Sequence, residues 1–150
     1  MRLRVAGAAM LAVGPLLLAG CGGDDDPFAG YCEEVEAQRP ALSEDLAAGG
    51  STGLIDALPE LQKLAAKAPD DIQDEWDTVT SRIGDLVSAL EDADVDPATY
   101  DRKRPPDGLT PEQKDAIDAA AQALVTPEMT EALNAVEQQA RDVCKTPLTL

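Results

Sequence analysis

Residues 70–90 read DDIQDEWDTVTSRIGDLVSAL, and this stretch decides the fold. Ile72, Trp76, Val79, Ile83, Leu86 and Leu90 recur at steps of 4, 3, 4, 3 and 4. That spacing lines one face of an α-helix, whereas a half-buried strand would alternate. Asp70, Asp71, Asp74 and Glu75 open the segment, where carboxylates suit the positive end of the helix dipole. Three heptads are too few for a coiled coil, so the stripe predicts a core-facing helix. Trp76 is its largest apolar side chain and is expected to anchor the core.

The flanking segments repeat the pattern. A first helix is expected from about Ala29 to Ala48, with Tyr31, Cys32, Val35, Leu42 and Leu46 on one face and Pro40 kinking or splitting it. Gly49-Gly50-Ser51 reads as a stop followed by a new cap. A second segment, about Gly53 to Lys67, carries Leu54, Leu58, Leu61, Leu64 and Ala68, with Pro59 dividing it into a short turn and a helical piece. Asp96-Pro97 looks like the cap and first residue of a short helix ending near Asp101. Arg102 to Gly108 is an irregular loop. Thr110-Pro111-Glu112-Gln113 is a capping-box pattern that starts a helix to about Val125, with Ile117, Ala120, Ala121 and Leu124 inward. Thr126-Pro127 repeats the device before a last helix bearing Met129, Leu133, Val136, Ala140 and Val143, which Pro147 forbids from continuing. No run alternates with period two. The expected fold is all-α: one helical bundle of four to five main helices over residues 28–150.

Composition excludes several functions. The 150 residues carry 29 acidic and 12 basic side chains, a formal charge of −17. There is no histidine, so no imidazole base serves a serine or cysteine nucleophile and no imidazole holds zinc. Three scattered cysteines cannot form a four-thiolate site. So acidic a chain repels nucleic-acid phosphate, and four aromatic residues make no stacking platform.

The first 21 residues read as an address. Arg2 and Arg4 are a basic start, and Val5 to Ala19 is a mostly apolar run too short for an ordinary membrane span. It ends in Leu17-Leu18-Ala19-Gly20-Cys21. This order resembles the lipobox of bacterial lipoproteins, in which a diacylglyceryl group is attached to the cysteine and a peptidase cuts before it. The resemblance implies a signal peptide over 1–20 and lipidation of Cys21. The other reading is an ordinary signal peptide with an incidental cysteine. Residues 21–27 would be the lipidated cysteine and an acidic tether, with Gly22 to Pro27 reaching at most roughly 20 Å. Removing Arg2 and Arg4 leaves ten basic against 29 acidic side chains, a net of −19.

Cys32 and Cys144 remain. In an exported chain a lone pair of cysteines is expected to form a disulfide, here stapling the first helix to the last. The other reading is two reduced, buried thiols.

Three clusters invite chemistry. Asp92-Ala93-Asp94-Val95-Asp96 starts like a calcium loop, but Pro97 falls where glycine is needed and Lys103 where a bidentate glutamate is needed, so a helix exit with an Asp96 cap is expected instead. Asp70, Asp71, Asp74, Glu75 and Asp77 offer carboxylates, yet they spread around the helix and suit its N-terminus. Arg102-Lys103-Arg104-Pro105-Pro106 is the only basic cluster, read as a solvated loop balancing the acidic body, or else as a contact for an anionic partner or lipid headgroups.

Leu18-Ala19-Gly20-Cys21, Tyr31-Cys32-Glu33-Glu34-Val35, the stretch from Ala68 to Trp76, and Cys144 near the end together resemble small lipoproteins of high-GC Gram-positive bacteria. That resemblance implies a cell-membrane, lipid-anchored location on the extracytoplasmic face, but no activity and no functional residue beyond Cys21. The function expected is non-enzymatic, without a cofactor: contact with an envelope protein partner or an accessory role there. The alternative is a module binding a small molecule or cation for a transporter or sensor. A dry gap of several hundred Å³ near Trp76 would favour the alternative.

Overall fold

The computed structural model describes residues 26–47 and 49–150. Six α-helices and two single 310 turns make up the regular structure, and no strand occurs among the described residues. The helices are α1 (Ala29–Ala47), α2 (Gly50–Asp56), α3 (Leu58–Ala65), α4 (Gln73–Glu91), α5 (Pro111–Ala123) and α6 (Pro127–Cys144). The 310 turns are Asp70–Ile72 and Pro97–Thr99. The signal segment 1–20, Cys21 and the tether up to Asp25 lie outside the described residues.

Helix α4 is the axis of the bundle. Ile72, Trp76, Val79, Ile83, Leu86 and Leu90 are all buried, as their spacing predicts. Around this stripe pack α3, α5 and α6, while α1 lies against α2, α3 and α6. Trp76 is 0% exposed. Its Nε1–H donates to the Tyr31 hydroxyl at 3.3 Å, and the two rings meet edge to face with centroids 6.5 Å apart. The indole thus has a partner for its one polar atom, which makes full burial affordable.

Three local expectations need correction. Pro40 lies inside α1 without splitting it. The backbone bond it removes would have reached the Glu36 carbonyl, and both residues are exposed, so water can serve that group. Val35 and Leu42 on either side are held in the core. The all-α bundle is as expected, with five longer helices and the seven-residue α2, which is divided from α3 at Ala57 ahead of Pro59. Helix α2 starts at Gly50, capped by Gly49 at φ 74° with no side-chain bond, instead of starting after a serine cap. The turn after Asp96 ends at Thr99, not near Asp101.

The helix ends are set by residues the sequence marks. Thr110 and Gln113 form the reciprocal capping box at 3.2 and 2.9 Å, and Thr126 accepts from the Met129 N–H at 3.3 Å. Helix α4 closes with Asp94 in the left-handed region at φ 56° and the Val95 N–H bonded back to the Leu90 carbonyl at 2.9 Å. This is the Schellman arrangement, with both apolar partners buried.

Cys32 of α1 and Cys144 of α6 are joined, with sulfurs 2.02 Å apart. Beyond Lys145, which turns at φ 57°, the tail folds back. The Leu148 N–H donates to Glu137 at 3.1 Å, and the Leu150 N–H donates to the Ser43 hydroxyl of α1 at 2.8 Å. Disulfide and tail therefore tie the same two helices together.

Burial pushes the Tyr31 phenol up to about 12, with the Trp76 hydrogen bond opposing and the nearby Glu137 charge assisting. Below pH 10 the phenol is neutral in both folded and unfolded chains, so its contribution is complete there. As pH rises above 10 the unfolded chain ionises first, and stability is lost up to the folded value. The loss expected is roughly 2 kcal/mol. Chemical unfolding at about pH 9 and pH 12, followed by the fluorescence of the single tryptophan, measures it. Tyr31→Phe should remove most of the decline; equal declines in both proteins would refute the assignment.

Candidate functional site

A groove of about 740 Å³ opens in the described surface, within the size range of small-molecule sites. Three separate parts of the chain build it. Helix α2 supplies Thr52 and Leu54, the Pro97 turn and the second turn after it supply Ala98 to Lys103, and the end of α5 with the two residues beyond it supplies Ala121, Leu124 and Val125.

Each wall has a local cause. Gly53 is buried against the end of α1, where an added Cβ would stand 2.8 Å from the Asp45 carbonyl oxygen. Only glycine lets α2 approach that closely, and the approach sets where Thr52 and Leu54 sit. The Thr52 hydroxyl then donates to the Tyr100 carbonyl at 3.1 Å, tying α2 to the opposite wall. Tyr100 is buried, and burial raises its phenol above the usual value, with the Asp118 charge adding and the Arg102 charge opposing. Val125 lies between Leu124, which caps the end of α5, and the Thr126 cap of α6. It lies off the inward stripe and is 71% exposed at the groove's edge.

The polar groups of the walls are mostly engaged with one another. Asp101 accepts from the Lys103 N–H at 2.9 Å and from Arg104 Nε at 3.0 Å. These bonds, with the Arg104 charge, hold its carboxyl below the usual carboxylate range. The Thr99 hydroxyl donates to the Asp96 carbonyl. Two charges are left over: Arg102 and Lys103 line the groove and make no ion pair among the described residues. A second hollow of about 80 Å³ shares Tyr100 and Arg102 with the groove and adds Lys114, also without an ion pair, beside Asp118.

The other sequence-marked clusters have structural employment. Asp92 ends α4, Asp94 makes its left-handed turn, and Asp96 accepts from the Ala98 N–H at 3.0 Å. Of the three alternating carboxylates only that of Asp96 caps a backbone N–H, and no group of three metal-ligating side chains forms among the described residues. Of the acids that open α4, Asp70, Asp71, Asp74 and Asp77 are exposed. Asp74 and Glu75 border a shallow hollow of about 270 Å³ with Glu128 and Glu131 of α6. Arg82 pairs with Glu128 there at 3.0 Å. Trp76 lines none of these hollows, so the gap that would have favoured a ligand-binding module is not among them, and the open volume lies at the groove.

Comparison with protein-family models, curated proteins and solved structures finds no match to this chain. The chemistry of the groove therefore rests on its own residues. Of these, the basic Arg102-Lys103 pair was legible in the sequence, and Leu54, Leu124 and Val125 were not. The one available signal was Val125, an apolar residue off the helical stripe beside a cap.

Proposed function

We propose that this chain is an extracytoplasmic lipoprotein whose helical domain works at the membrane face by non-covalent binding. In this reading the segment 1–20 is removed, Cys21 carries the lipid, and residues 28–150 are held near the bilayer by the short acidic tether. The cysteine count carries it. Cys32 and Cys144 are consumed in a bond of a kind that persists outside the reducing cytoplasm. Cys21 is then the only cysteine left over, and it stands where a lipobox places its modified residue.

The groove supports binding over catalysis. Its one carboxylate, Asp101, is engaged by two donors and stays ionised, so it accepts hydrogen bonds and has no proton to give. The remaining lining is apolar, hydroxyl or cationic. The core is filled at Trp76, so in the ligand-binding form of the reading the ligand lies in the surface groove and not in an interior gap.

Labelling with an alkyne palmitate and intact mass of the full chain test the anchor. The wild-type chain should start at a diacylglyceryl-modified Cys21, and Cys21→Ala should lose all label. A mature chain starting elsewhere, unlabelled in both forms, overturns the anchor.

A further inference from the structure

We infer that the groove between α2, the Pro97 turn and the end of α5 binds a single-chain amphiphile with one anionic head, carboxylate or phosphate, whose apolar chain lies along Leu54, Leu124 and Val125. The inference deepens the proposed binding function and rests on it. Three observations meet at this place.

The first is charge. In a chain of −17 the only basic cluster lies on the groove's lip, and two of its members, Arg102 and Lys103, have no carboxylate partner. Asp101 also lines the groove, but it is paired with Arg104, and ionic screening at physiological salt acts over about 8 Å, so a head group inside the lip feels Arg102 and Lys103 more than the acids of the outer surface. An extended polyanion reaches beyond that distance and meets the acids. A small anion is therefore selected over nucleic acid or a highly charged membrane surface.

The second is the body of the groove. Leu54, Ala121, Leu124 and Val125 present an apolar track, and Val125 is far more exposed than any other valine of the domain. The volume suits one chain of a small molecule.

The third is the hydrogen-bond state of the walls. Thr52, Thr99, Asp101 and the backbone of the Pro97 turn bond among themselves. An extended peptide would need free backbone partners along its length, and no sheet edge supplies them among the described residues. A ligand with polar atoms at one end only meets the walls as they stand.

The test uses the full chain in the membranes of cells that produce it, with a diazirine-bearing hexadecanoate as probe. Matched probes carry a trimethylammonium head or an alcohol. After irradiation, the labelled peptides are mapped by mass spectrometry. Label should fall on the segments around Leu54 and Leu124-Val125, be competed by plain hexadecanoate, and exceed that from the cationic probe by about tenfold or more. Arg102→Glu with Lys103→Glu should cut it by about tenfold or more, as expected for losing a charge-assisted contact. Val125→Asp should do the same from the apolar side. These side chains are exposed, so the variants should keep the wild-type circular dichroism and melting temperature. Equal labelling by both heads, indifference to charge reversal, or label confined to the 102–108 loop and following the anionic lipid content of the bilayer would each overturn the inference. The last outcome would assign the basic loop to the membrane surface. Groove labelling absent from a chain that is lipidated at Cys21 sinks the ligand and leaves the anchor standing. Groove labelling of a chain with an unmodified Cys21 does the reverse.

Discussion

Trp76→Ala is expected to cost about 3–5 kcal/mol, much of the total stability of an ordinary domain. The ring is wholly enclosed near the N-terminal end of the α4 stripe, and no other side chain of the core is as large. Removing it leaves a cavity and also strips the Tyr31 hydroxyl of the N–H it accepts from. Urea unfolding followed by far-ultraviolet circular dichroism measures the loss, since the fluorophore is gone. Trp76→Phe keeps most of the volume but not the donor and should cost less than half as much. A Trp76→Ala midpoint within about 1 kcal/mol of wild type would mean that the ring is not the anchor of the core.

Breaking the Cys32–Cys144 bond, by Cys32→Ser with Cys144→Ser, is expected to be nearly as damaging. The cysteines stand 112 residues apart, and closing a loop of that length restrains the unfolded chain by up to about 4.7 kcal/mol. In a domain of this size that is a fall in melting temperature on the order of 10–15 °C. The tail moderates the loss, because Leu148 and Leu150 still fasten α6 to its own Glu137 and to Ser43 of α1. Truncation after Thr146 in the double-serine chain should therefore destabilise further. A melting temperature unchanged by reduction of the wild-type chain would show that the bond adds nothing to the tie between α1 and α6.

The two halves of the molecule were not equally readable. The α4 stripe, the Thr110 and Thr126 caps and the stop at Pro147 follow from residues within one or two turns of each other, and all appear as expected. The misses concern balances that local pattern does not contain. Pro40 has a strong breaking tendency, but it falls on an exposed face between two core contacts, so packing outweighs one lost hydrogen bond. Asp92, Asp94 and Asp96 look alike on paper and do three different jobs once α4 has to end above a buried Val95.

The sequence by itself determined the helical class, the starts of α5 and α6, the core anchor and the pairing open to the cysteines of the domain. Helical periodicity and capping act over three or four residues, and only two cysteines lie in the domain. Only the tertiary structure decided where a ligand could sit. The groove joins residues near positions 52, 100 and 124, and its depth depends on Gly53 seating α2 against α1. Arg102 and Lys103 read as one more solvated loop until α5 sets Leu124 and Val125 beside them. A binding surface is a property of side chains from distant segments meeting at fixed distances, and those distances are set by the packing of the whole core around α4.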